Sequence, residues 1–377
     1  MKNKIKIVFI IVSLKYGGAQ SMLLRLLNEI DKNRFNVTVI SLTDGGDLGQ
    51  SVIDLEIPLI TANIKKNIFN IFALIKLCKI IQKISPDVVH TWMYHSDLIG
   101  GLLAKISRVP RIVWGVRSAD FISVDTPLST KLIFKFCAKL SRLIPDVIIY
   151  NSHKGLLYHE NLGYTKNKSH VIYNGVDIDR FKPQDINYIK LRRMLNIADN
   201  KKIIGIVARY DYLKNHKGFV KMAKFINNYD DSCDFLMIGE NIKGNKKLLS
   251  LIEKNNLLKN FHLLDAISNI EDIISGLNAV IITSLSEAFP NVMIEAMACG
   301  IPCFSTDVGD VEQITYDREW LVSVEDMEKL ANVCVQYLDL DAIVQKNIKE
   351  NMIKYARKNY SFKIIVERYE AIYLNNN

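Results

Sequence analysis

The sequence lacks several features that would place it outside the ordinary globular proteins. Its six cysteines are scattered singly, without a CxxC pair or matching histidines, which argues against a disulfide framework or a zinc site. No stretch approaches the ~20 apolar residues that a membrane-spanning helix requires. With 49% hydrophobic and 24% charged residues, the 377-residue chain does not have the composition of a disordered protein. We therefore expect free thiols in a reducing compartment, the cytoplasm, and two well-ordered domains.

The N-terminal segment Met1–Leu14 places lysines before a short apolar run, as a secretion signal does. No small-residue cleavage site follows, and the β-branched run leads directly into Gly17 and Gly18. This pattern favours a buried first strand followed by a glycine loop.

Positive charge is concentrated in the first half of the chain. Residues 1–182 hold 25 Lys and Arg against 14 Asp and Glu, whereas the remainder holds 24 against 26. This asymmetry predicts contact of the first half with an anionic membrane face or a lipid phosphate. Nucleic acid is the alternative, but no aromatic-rich basic motif supports it. Lysines recur at helical spacing in 65–83 and 131–142, and each stretch fits either a membrane-facing helix or a core helix with a solvated edge.

Short β-branched runs alternate with amphipathic stretches, which is typical of βαβ units and parallel sheets. In the first half, strands are predicted near residues 5–14, 35–42, 57–62, 86–92, 111–118, 145–152 and 169–174. In the second half, they are predicted near residues 202–209, 233–240, 260–265, 279–285, 301–307 and 320–323.

Turn residues from Asn174 to Pro183 interrupt this alternation, so the linker between domains is placed there. The pattern predicts an α/β fold class with two Rossmann-like, doubly wound domains and a helical tail. The predicted bounds are 1–177 for the basic first domain, 178–355 for the second, and 356–377 for a C-terminal helix that packs back towards the first domain.

The most informative stretch is AVIITSLSEAFPNVMIEAMACGIPCFSTD, which runs from Ala279 to Asp307. It predicts a strand, a loop with Glu287, a short helix with Glu295 about one turn inside, and a second strand. Carboxylates suit sugar and ribose hydroxyls, and the N–H groups of a helix start suit phosphate. An ordinary capped helix with solvated glutamates is an equally good explanation of the spacing alone.

A second stretch, GIVARYDYLKNHK from Gly205 to Lys217, places Arg209 at a strand end and Lys214 in the following loop. Two cations at the carboxyl end of a parallel strand can hold a diphosphate and neutralise a departing nucleotide. A solvated basic loop is the alternative.

The first half carries weaker signals. The Gly17-Gly18 pair opens a helix after the first strand and allows close backbone approach to a ligand, but it lacks the GxGxxG spacing of dehydrogenases. His95 follows a later strand, near His90, Trp92 and Asp97, where it could bind a sugar or pack as a structural histidine.

The triplet Asp177-Ile178-Asp179 has the D-x-D form that holds a metal in some enzymes that transfer sugars. It lies in the linker without a partner carboxylate cluster, and two aspartates make a poor magnesium site. No metal site is therefore assigned.

In order along the chain, these residues resemble the retaining glycosyltransferase family 4, group 1, whose members have the GT-B fold of two facing Rossmann-like domains. The sequence GGAQ at Gly17–Gln20 is similar to the family's GGAE loop, and NGVD at Asn174–Asp177 to its linker. Arg209 with Lys214 resembles an R-x4-K pair, and Glu287 with Glu295 an E-x7-E motif. These motifs span nearly the whole chain.

The resemblance implies a catalytic role for Glu287, which would hold hydroxyls of the transferred sugar, and for Arg209 and Lys214, which would bind the donor diphosphate and stabilise the leaving group. Glu295 would hold the ribose, and His95, the fourth residue assigned to catalysis, would lie near the sugar. Further donor-binding groups are expected from the first glycine loop and from the loop and start of the helix after Glu287: Gly17, Gly18, Ala288, Phe289, Pro290, Asn291 and Val292.

The resemblance further implies transfer, without metal or cofactor, of a hexose or N-acetylhexosamine from a UDP-sugar to a lipid-linked glycan acceptor. The setting would be capsule, O-antigen lipopolysaccharide or exopolysaccharide synthesis in bacteria, with a cytoplasmic protein in peripheral contact with the inner face of the plasma membrane. A nucleotide-sugar epimerase of the same fold and an inactive donor-binding scaffold are the alternatives, and the intact Arg209, Lys214, Glu287 and Glu295 argue against the scaffold.

Overall fold

A computed structural model of the chain describes residues 4–64, 71–117 and 127–374. It divides into two compact units. The first unit contains the chain up to Asn174 and again from Phe362 onwards, and the second contains Gly175–Ser361. The chain therefore leaves the first unit, completes the second, and returns to the first at Phe362 rather than at 356.

The first unit is built on a parallel sheet with the strand order β3-β2-β1-β4-β5-β6-β7. Its strands are β1 (Ile5–Ile11), β2 (Phe35–Ser41), β3 (Leu59–Thr61), β4 (Val88–Trp92), β5 (Arg111–Val116), β6 (Val147–Tyr150) and β7 (Ser169–Val171). Its helices are α1 (Gly18–Glu29), α2 (Gly49–Asp54), α3 (Ile71–Ile84), α4 (Tyr94–Ile106), α5 (Leu128–Leu140), α6 (His153–Asn161) and, from the C-terminus, α15 (Phe362–Tyr373).

This sheet is covered on both faces, which explains the continuous apolar runs of its central strands. One core contains alternate residues of β1, such as Phe9, together with residues of α1, α2 and α15. The other contains the intervening residues of β1, such as Val8, with residues of α3, α4 and α5.

The C-terminal helix α15 is integral to the core of the first unit. Its Tyr373 hydroxyl lies 2.8 Å from Nδ1 of His90 in β4, and its Tyr369 hydroxyl accepts a hydrogen bond from Arg117 at 3.1 Å. Burial, and secondly the nearby Arg117 guanidinium, hold the pKa of His90 well below its usual value. A neutral imidazole therefore bonds the helix to the sheet.

The second unit repeats this architecture with the parallel strand order β10-β9-β8-β11-β12-β13. Its strands are β8 (Lys202–Val207), β9 (Cys233–Ile238), β10 (Phe261–Leu264), β11 (Ala279–Ile282), β12 (Cys303–Thr306) and β13 (Leu321–Val322). Its helices are α7 (Asp185–Leu195), α8 (His216–Tyr229), α9 (Lys246–Lys254), α10 (Ile270–Gly276), α11 (Asn291–Ala298), α12 (Val311–Ile314), α13 (Met327–Leu338) and α14 (Ala342–Tyr360).

Each predicted strand corresponds to an observed one, so the doubly wound α/β prediction is confirmed. Several strands end earlier than predicted; β1 ends at Ile11 rather than at 14, and β8 at Val207 rather than at 209. In these places the chain leaves the sheet to form the loops that carry polar side chains.

Three residues predicted near His95 are buried. His90, Trp92 and Asp97 have no more than 1% of their surface exposed. The Thr91 hydroxyl donates to a carboxylate oxygen of Asp97 at 2.6 Å. These side chains hold β4 to its neighbours. Their position in the sequence, at and after the end of a predicted strand, did not reveal that they are buried.

The two lysine-rich stretches fall on two helices of the first unit that both pack against α4. Residues 65–70 lie outside the described residues, and the remainder of that stretch forms α3, while the second stretch forms α5. Across 4–64, 71–117 and 127–374, no helix is long and apolar enough to cross a membrane.

Burial raises the pKa of Asp97 well above its usual value, despite the hydrogen bonds from Thr91 and the backbone of Gly115. A raised carboxyl pKa contributes stability that is fully present below the ordinary pKa of about 4 and is lost as the pH rises towards the folded-state value. We predict that Asp97→Asn has a melting temperature that exceeds that of the wild type by an amount increasing with pH above about 4.

Thermal unfolding followed by circular dichroism across this pH range tests the prediction. Asp54→Asn, which removes a carboxylate at an exposed position of α2, is the control and should melt within a few degrees of the wild type. A pH-independent difference for Asp97→Asn would show that this carboxyl is ionised in the folded protein.

Candidate functional site

The centre of the second sheet contains a point where the strand order reverses. Strands β8 and β11 are neighbours, yet the chain proceeds from β8 outwards in one direction and returns to place β11 on the other side. Loops that follow two such strands diverge to opposite faces and leave a crevice at the carboxyl edge, which is where α/β sheets bind ligands. The loop after β8 carries Arg209 and Lys214, and the loop after β11 carries Glu287.

These two loops are joined by hydrogen bonds. The backbone N–H of Leu285 donates to the carbonyl oxygen of Leu213 at 2.7 Å. The Thr283 hydroxyl lies within 3.1 Å of the carbonyl oxygens of Lys214 and Asn215. The side chains of both loops are therefore held in a fixed relation to each other.

Lys214 and Glu287, predicted from separate motifs, form an ion pair at this edge. The ammonium nitrogen of Lys214 lies 2.5 Å from Oε1 of Glu287, and the Ser284 hydroxyl donates to the same oxygen at 2.7 Å. The two charged side chains are 27% and 12% exposed, so both are largely shielded from water. The arrangement presents one cation and one carboxylate side by side, with the carboxylate fixed by a hydroxyl.

Arg209 has a different partner. Its guanidinium donates to Asp211 at 3.1 and 3.3 Å, and its side chain is 64% exposed. Asp211 also accepts the backbone N–H of Leu213 at the start of a 3₁₀ turn, Tyr212–Lys214. That backbone bond, and then Arg209, lower the pKa of Asp211. Asp211 thus orients both cations, and the sequence signal for it was an aspartate directly before a turn.

Helix α11 begins at Asn291 after the Glu287 loop, as predicted, with Pro290 at its N-cap position. The sequence analysis considered the N–H groups of this helix start as ligands for phosphate, but the N–H of Met293 is bonded to the Pro290 carbonyl at 3.1 Å and so serves the helix itself.

A residue that the sequence analysis missed, Gly309, supports the Glu287 loop from the segment after β12. It adopts φ +59°, and a Cβ added there would collide with the carbonyl oxygen of Glu287. Only glycine combines this left-handed conformation with so close a backbone approach. A glycine shortly after a predicted strand was the available signal.

Glu295 lies on α11 beside a second cation, Arg180. The pKa of Arg180 is raised, first by its hydrogen bond to Glu271 at 2.7 Å and then by the charges of Glu271 and Glu295. Arg180 also donates to the carbonyl oxygen of Ser268 at 2.7 Å. Glu295 and Glu271 therefore both contribute negative charge near Arg180.

In the first unit, the strand order reverses between β1 and β4, and a cavity of about 670 Å³ lies at that point. Its lining includes Lys15, Gln20, Asp44 and His95. The predicted glycine loop lies between Lys15 and Gln20 and opens α1.

One residue that lines this cavity has an unusual backbone conformation, and the glycine loop beside it has free space. Met93, which precedes His95 and lines the cavity, has φ +75°, a conformation that costs about 1–3 kcal/mol in a non-glycine residue and that occurs mostly at functional sites. A Cβ added to Gly18 would meet no atom within 4 Å, so the packing of this unit does not itself require that glycine.

The structure thus brings together Lys214 and Glu287, pairs Arg209 with Asp211, and places Glu295 beside Arg180. Among the predicted residues of the second unit, Ala288, Phe289, Pro290, Asn291 and Val292 form the connection from Glu287 into α11. Gly17, Gly18 and His95 belong to the first unit. Asp177, of the D-x-D triplet, accepts the backbone N–H groups of Asp179 and Arg180 at 3.0 Å and so shapes a turn.

Proteins similar to this chain were found among characterised sequences and solved structures. It is 26% identical to the UDP-Gal:alpha-D-GlcNAc-diphosphoundecaprenol alpha-1,3-galactosyltransferase of Escherichia coli over 93% of both chains. It is 25% identical to the N,N'-diacetylbacillosaminyl-diphospho-undecaprenol alpha-1,3-N-acetylgalactosaminyltransferase of Campylobacter jejuni, over 86% of this chain and 87% of that protein. The crystal structure of Anabaena Alr3699/HepE in complex with UDP superposes with a TM-score of 0.86 at 20% identity, covering 99% of this chain and 100% of that one.

Two family models match consecutive parts of the chain and together span most of it. The model described as Glycosyltransferase Family 4 matches residues 16–180, which include the glycine loop and His95. The model described as Glycosyl transferases group 1 matches residues 187–359, which include the Lys214–Glu287 pair and Glu295. With a fold shared over its full length and both halves of the family present in order, the chain belongs to glycosyltransferase family 4, group 1, and has the GT-B fold.

Proposed function

We propose that this glycosyltransferase moves a hexose or N-acetylhexosamine from a UDP-sugar to a lipid-linked glycan acceptor, with retention of the anomeric configuration and without a metal. The observation that carries the proposal is the Lys214–Glu287 pair at the point where the strand order of the second sheet reverses. A nucleotide-sugar is a dianionic diphosphate joined to a ring of hydroxyls, and this edge offers a cation next to a hydrogen-bonded carboxylate.

The donor would be divided between the charged groups of the second unit. Lys214 and the exposed Arg209 would bind the two phosphates, and Glu287 would accept hydrogen bonds from the sugar hydroxyls. Glu295, with Arg180 nearby, would take the ribose hydroxyls. Uracil as the base is supported by the UDP bound to the Anabaena protein and by the UDP-galactose donor in the name of the Escherichia coli relative.

Transfer breaks the bond between the anomeric carbon and the β-phosphate oxygen and forms a bond from that carbon to an acceptor hydroxyl oxygen. The electron pair of the broken bond stays with the departing UDP, whose phosphate oxygen takes the acceptor proton on the same face of the sugar. Lys214 and Arg209 would stabilise the charge that develops on the diphosphate, which is why no metal is proposed. Glu287 would act by positioning, since UDP needs no general acid to leave.

The acceptor would bind the first unit at the cavity that includes Lys15 and His95. The names of the Escherichia coli and Campylobacter jejuni relatives give sugars linked to diphospho-undecaprenol as their acceptors. Gly18, which no neighbouring side chain or backbone restricts, would permit close approach of a ligand to the start of α1. We place the enzyme in the cytoplasm, at the inner face of the membrane, in the synthesis of a bacterial surface polysaccharide.

Neutralising either member of the pair should impair transfer without unfolding the protein. We expect Glu287→Gln and Lys214→Met each to lower kcat/KM by about 100-fold or more, because each removes a contact to the donor that strengthens in the transition state. Steady-state release of UDP from the preferred donor measures this effect.

Lys221→Met is the matched control, since Lys221 is an exposed lysine of the neighbouring helix α8. It should retain wild-type kinetics, and all three variants should unfold within a few degrees of the wild type. Near-normal turnover in both Glu287→Gln and Lys214→Met would show that the assignment of the donor site to this pair is wrong.

The reaction itself is tested with a panel of UDP-, GDP- and other nucleotide-sugars, each with and without lipid-linked acceptors extracted from membranes. We expect release of UDP that requires acceptor, an unchanged rate in EDTA, and a product whose anomeric configuration matches that of the donor by NMR. An isomerised donor formed without acceptor would identify an epimerase, and binding without turnover would identify a scaffold.

A further inference from the structure

Three consecutive helices of the first unit form one outer surface. Helix α4 packs against α3 on one side and α5 on the other, and all three contribute to the same core beneath them. Leu77, Ala104 and Phe134 are examples of their inward-facing residues. The outward sides of α3, α4 and α5 therefore lie together, and we call them the α3–α5 surface.

Large apolar side chains project from this surface. Phe136 and Leu132 of α5 are 54% and 48% exposed, and Ile106 at the end of α4 is 64% exposed. The other large apolar residues that are exposed in or next to these helices are Ile71, Phe72, Ile75, Leu102, Leu128 and Leu143. Isolated exposed apolar residues are ordinary, but such a concentration on adjacent helices marks an interaction surface.

The charge of the α3–α5 surface has one sign. Within the three helices the only acidic residue is Asp97, which is fully buried. The basic residues of the same helices are Lys76, Lys79, Lys83, Lys105, Lys131, Lys135 and Lys139. The nearby Asp87 and Asp146 lie outside the three helices, in the loops before β4 and β6, where each carboxylate accepts a backbone N–H.

We infer that the α3–α5 surface binds an anionic phospholipid bilayer. Lysines attract the negatively charged head groups, while their alkyl stems and the interspersed leucine, isoleucine and phenylalanine side chains enter the interfacial layer. Nucleic acid would use the lysines but leave Phe136, Leu132 and Ile106 in water. A second copy of the chain would bring seven lysines against seven, so charge complementarity favours the bilayer.

The next step rests on the proposed function. It concerns how a lipid-linked acceptor would reach the cavity of the first unit from a bilayer bound to the α3–α5 surface. His95 and Tyr94 at the start of α4, and Thr130 in the first turn of α5, line that cavity. A lipid-linked acceptor whose head group occupies the cavity would thus meet the enzyme where two of the membrane-bound helices begin. The bilayer contact restricts the search for acceptor to two dimensions.

Flotation of the purified full-length chain with vesicles tests the inference. The wild type should bind vesicles of phosphatidylcholine with about one-third phosphatidylglycerol and bind pure phosphatidylcholine far more weakly. Since each lysine near such a surface changes binding about fivefold, Lys79→Glu/Lys135→Glu/Lys139→Glu should reduce the partition coefficient by roughly 100-fold or more.

The matched control is Lys246→Glu/Lys247→Glu/Lys254→Glu, which makes the same charge change on exposed lysines of α9 in the second unit and should float like the wild type. For the apolar contribution, Leu132→Ser/Phe136→Ser should reduce binding at least ~10-fold. Its control, Leu249→Ser/Leu258→Ser, alters two exposed leucines of the second unit and should leave vesicle binding unchanged.

Each remaining outcome has a defined meaning. The inference would be overturned if the α3–α5 variants float as well as the wild type does. It would also be overturned if analytical ultracentrifugation shows that the wild type is a dimer and that these variants are monomers. Turnover with a short-chain, water-soluble acceptor and no vesicles should be unchanged in the same variants. If the wild type floats but transfers nothing to any acceptor, the proposed function fails while the bilayer inference stands.

Discussion

The site depends on a property of doubly wound parallel sheets. Their strand order reverses at one point, and this reversal leaves a crevice at the carboxyl edge of the sheet. In the second unit this happens between β8 and β11, and the two loops that follow them are joined through Leu213, Thr283 and Leu285. Only because these loops are fixed to each other can Lys214 and Glu287, 73 residues apart in sequence, share a hydrogen bond. The first unit places its cavity at the equivalent position between β1 and β4.

Three cations of the second unit that the proposed site uses or adjoins are each paired with a carboxylate. Lys214 bonds to Glu287, Arg209 to Asp211, and Arg180 to Glu271. When a dianionic ligand binds, its phosphates would replace carboxylates as partners of these cations, with little rearrangement of the backbone. The pairing also fixes the cations before a ligand arrives, and such preorganisation is the main source of electrostatic stabilisation in enzymes.

The sequence predicted the number of strands and their order along the chain because fully buried parallel strands require continuous β-branched runs. It singled out Glu287, Lys214 and Glu295 as candidates from the pattern of strand, loop and helix start around them. It did not predict that Arg209 pairs with Asp211, that Gly309 supports the Glu287 loop, or that the N–H of Met293 is used within α11. These depend on contacts between segments that are distant in sequence. Likewise, His90 and Asp97 follow the same local pattern as His95, and only the packing of α15 and α4 on the sheet shows that they are buried.

Helix α15 closes the core of the first unit with residues from the last part of the chain, and the whole second unit lies between. A ribosome therefore makes the second unit, complete in Gly175–Ser361, before it supplies the aromatic side chains that cover β1 and β4. The first unit would remain with one face of its sheet partly uncovered during that time, although it is synthesised first. A premature stop directly after the second unit would consequently leave the first unit without α15, although most of the first unit lies far upstream in the sequence.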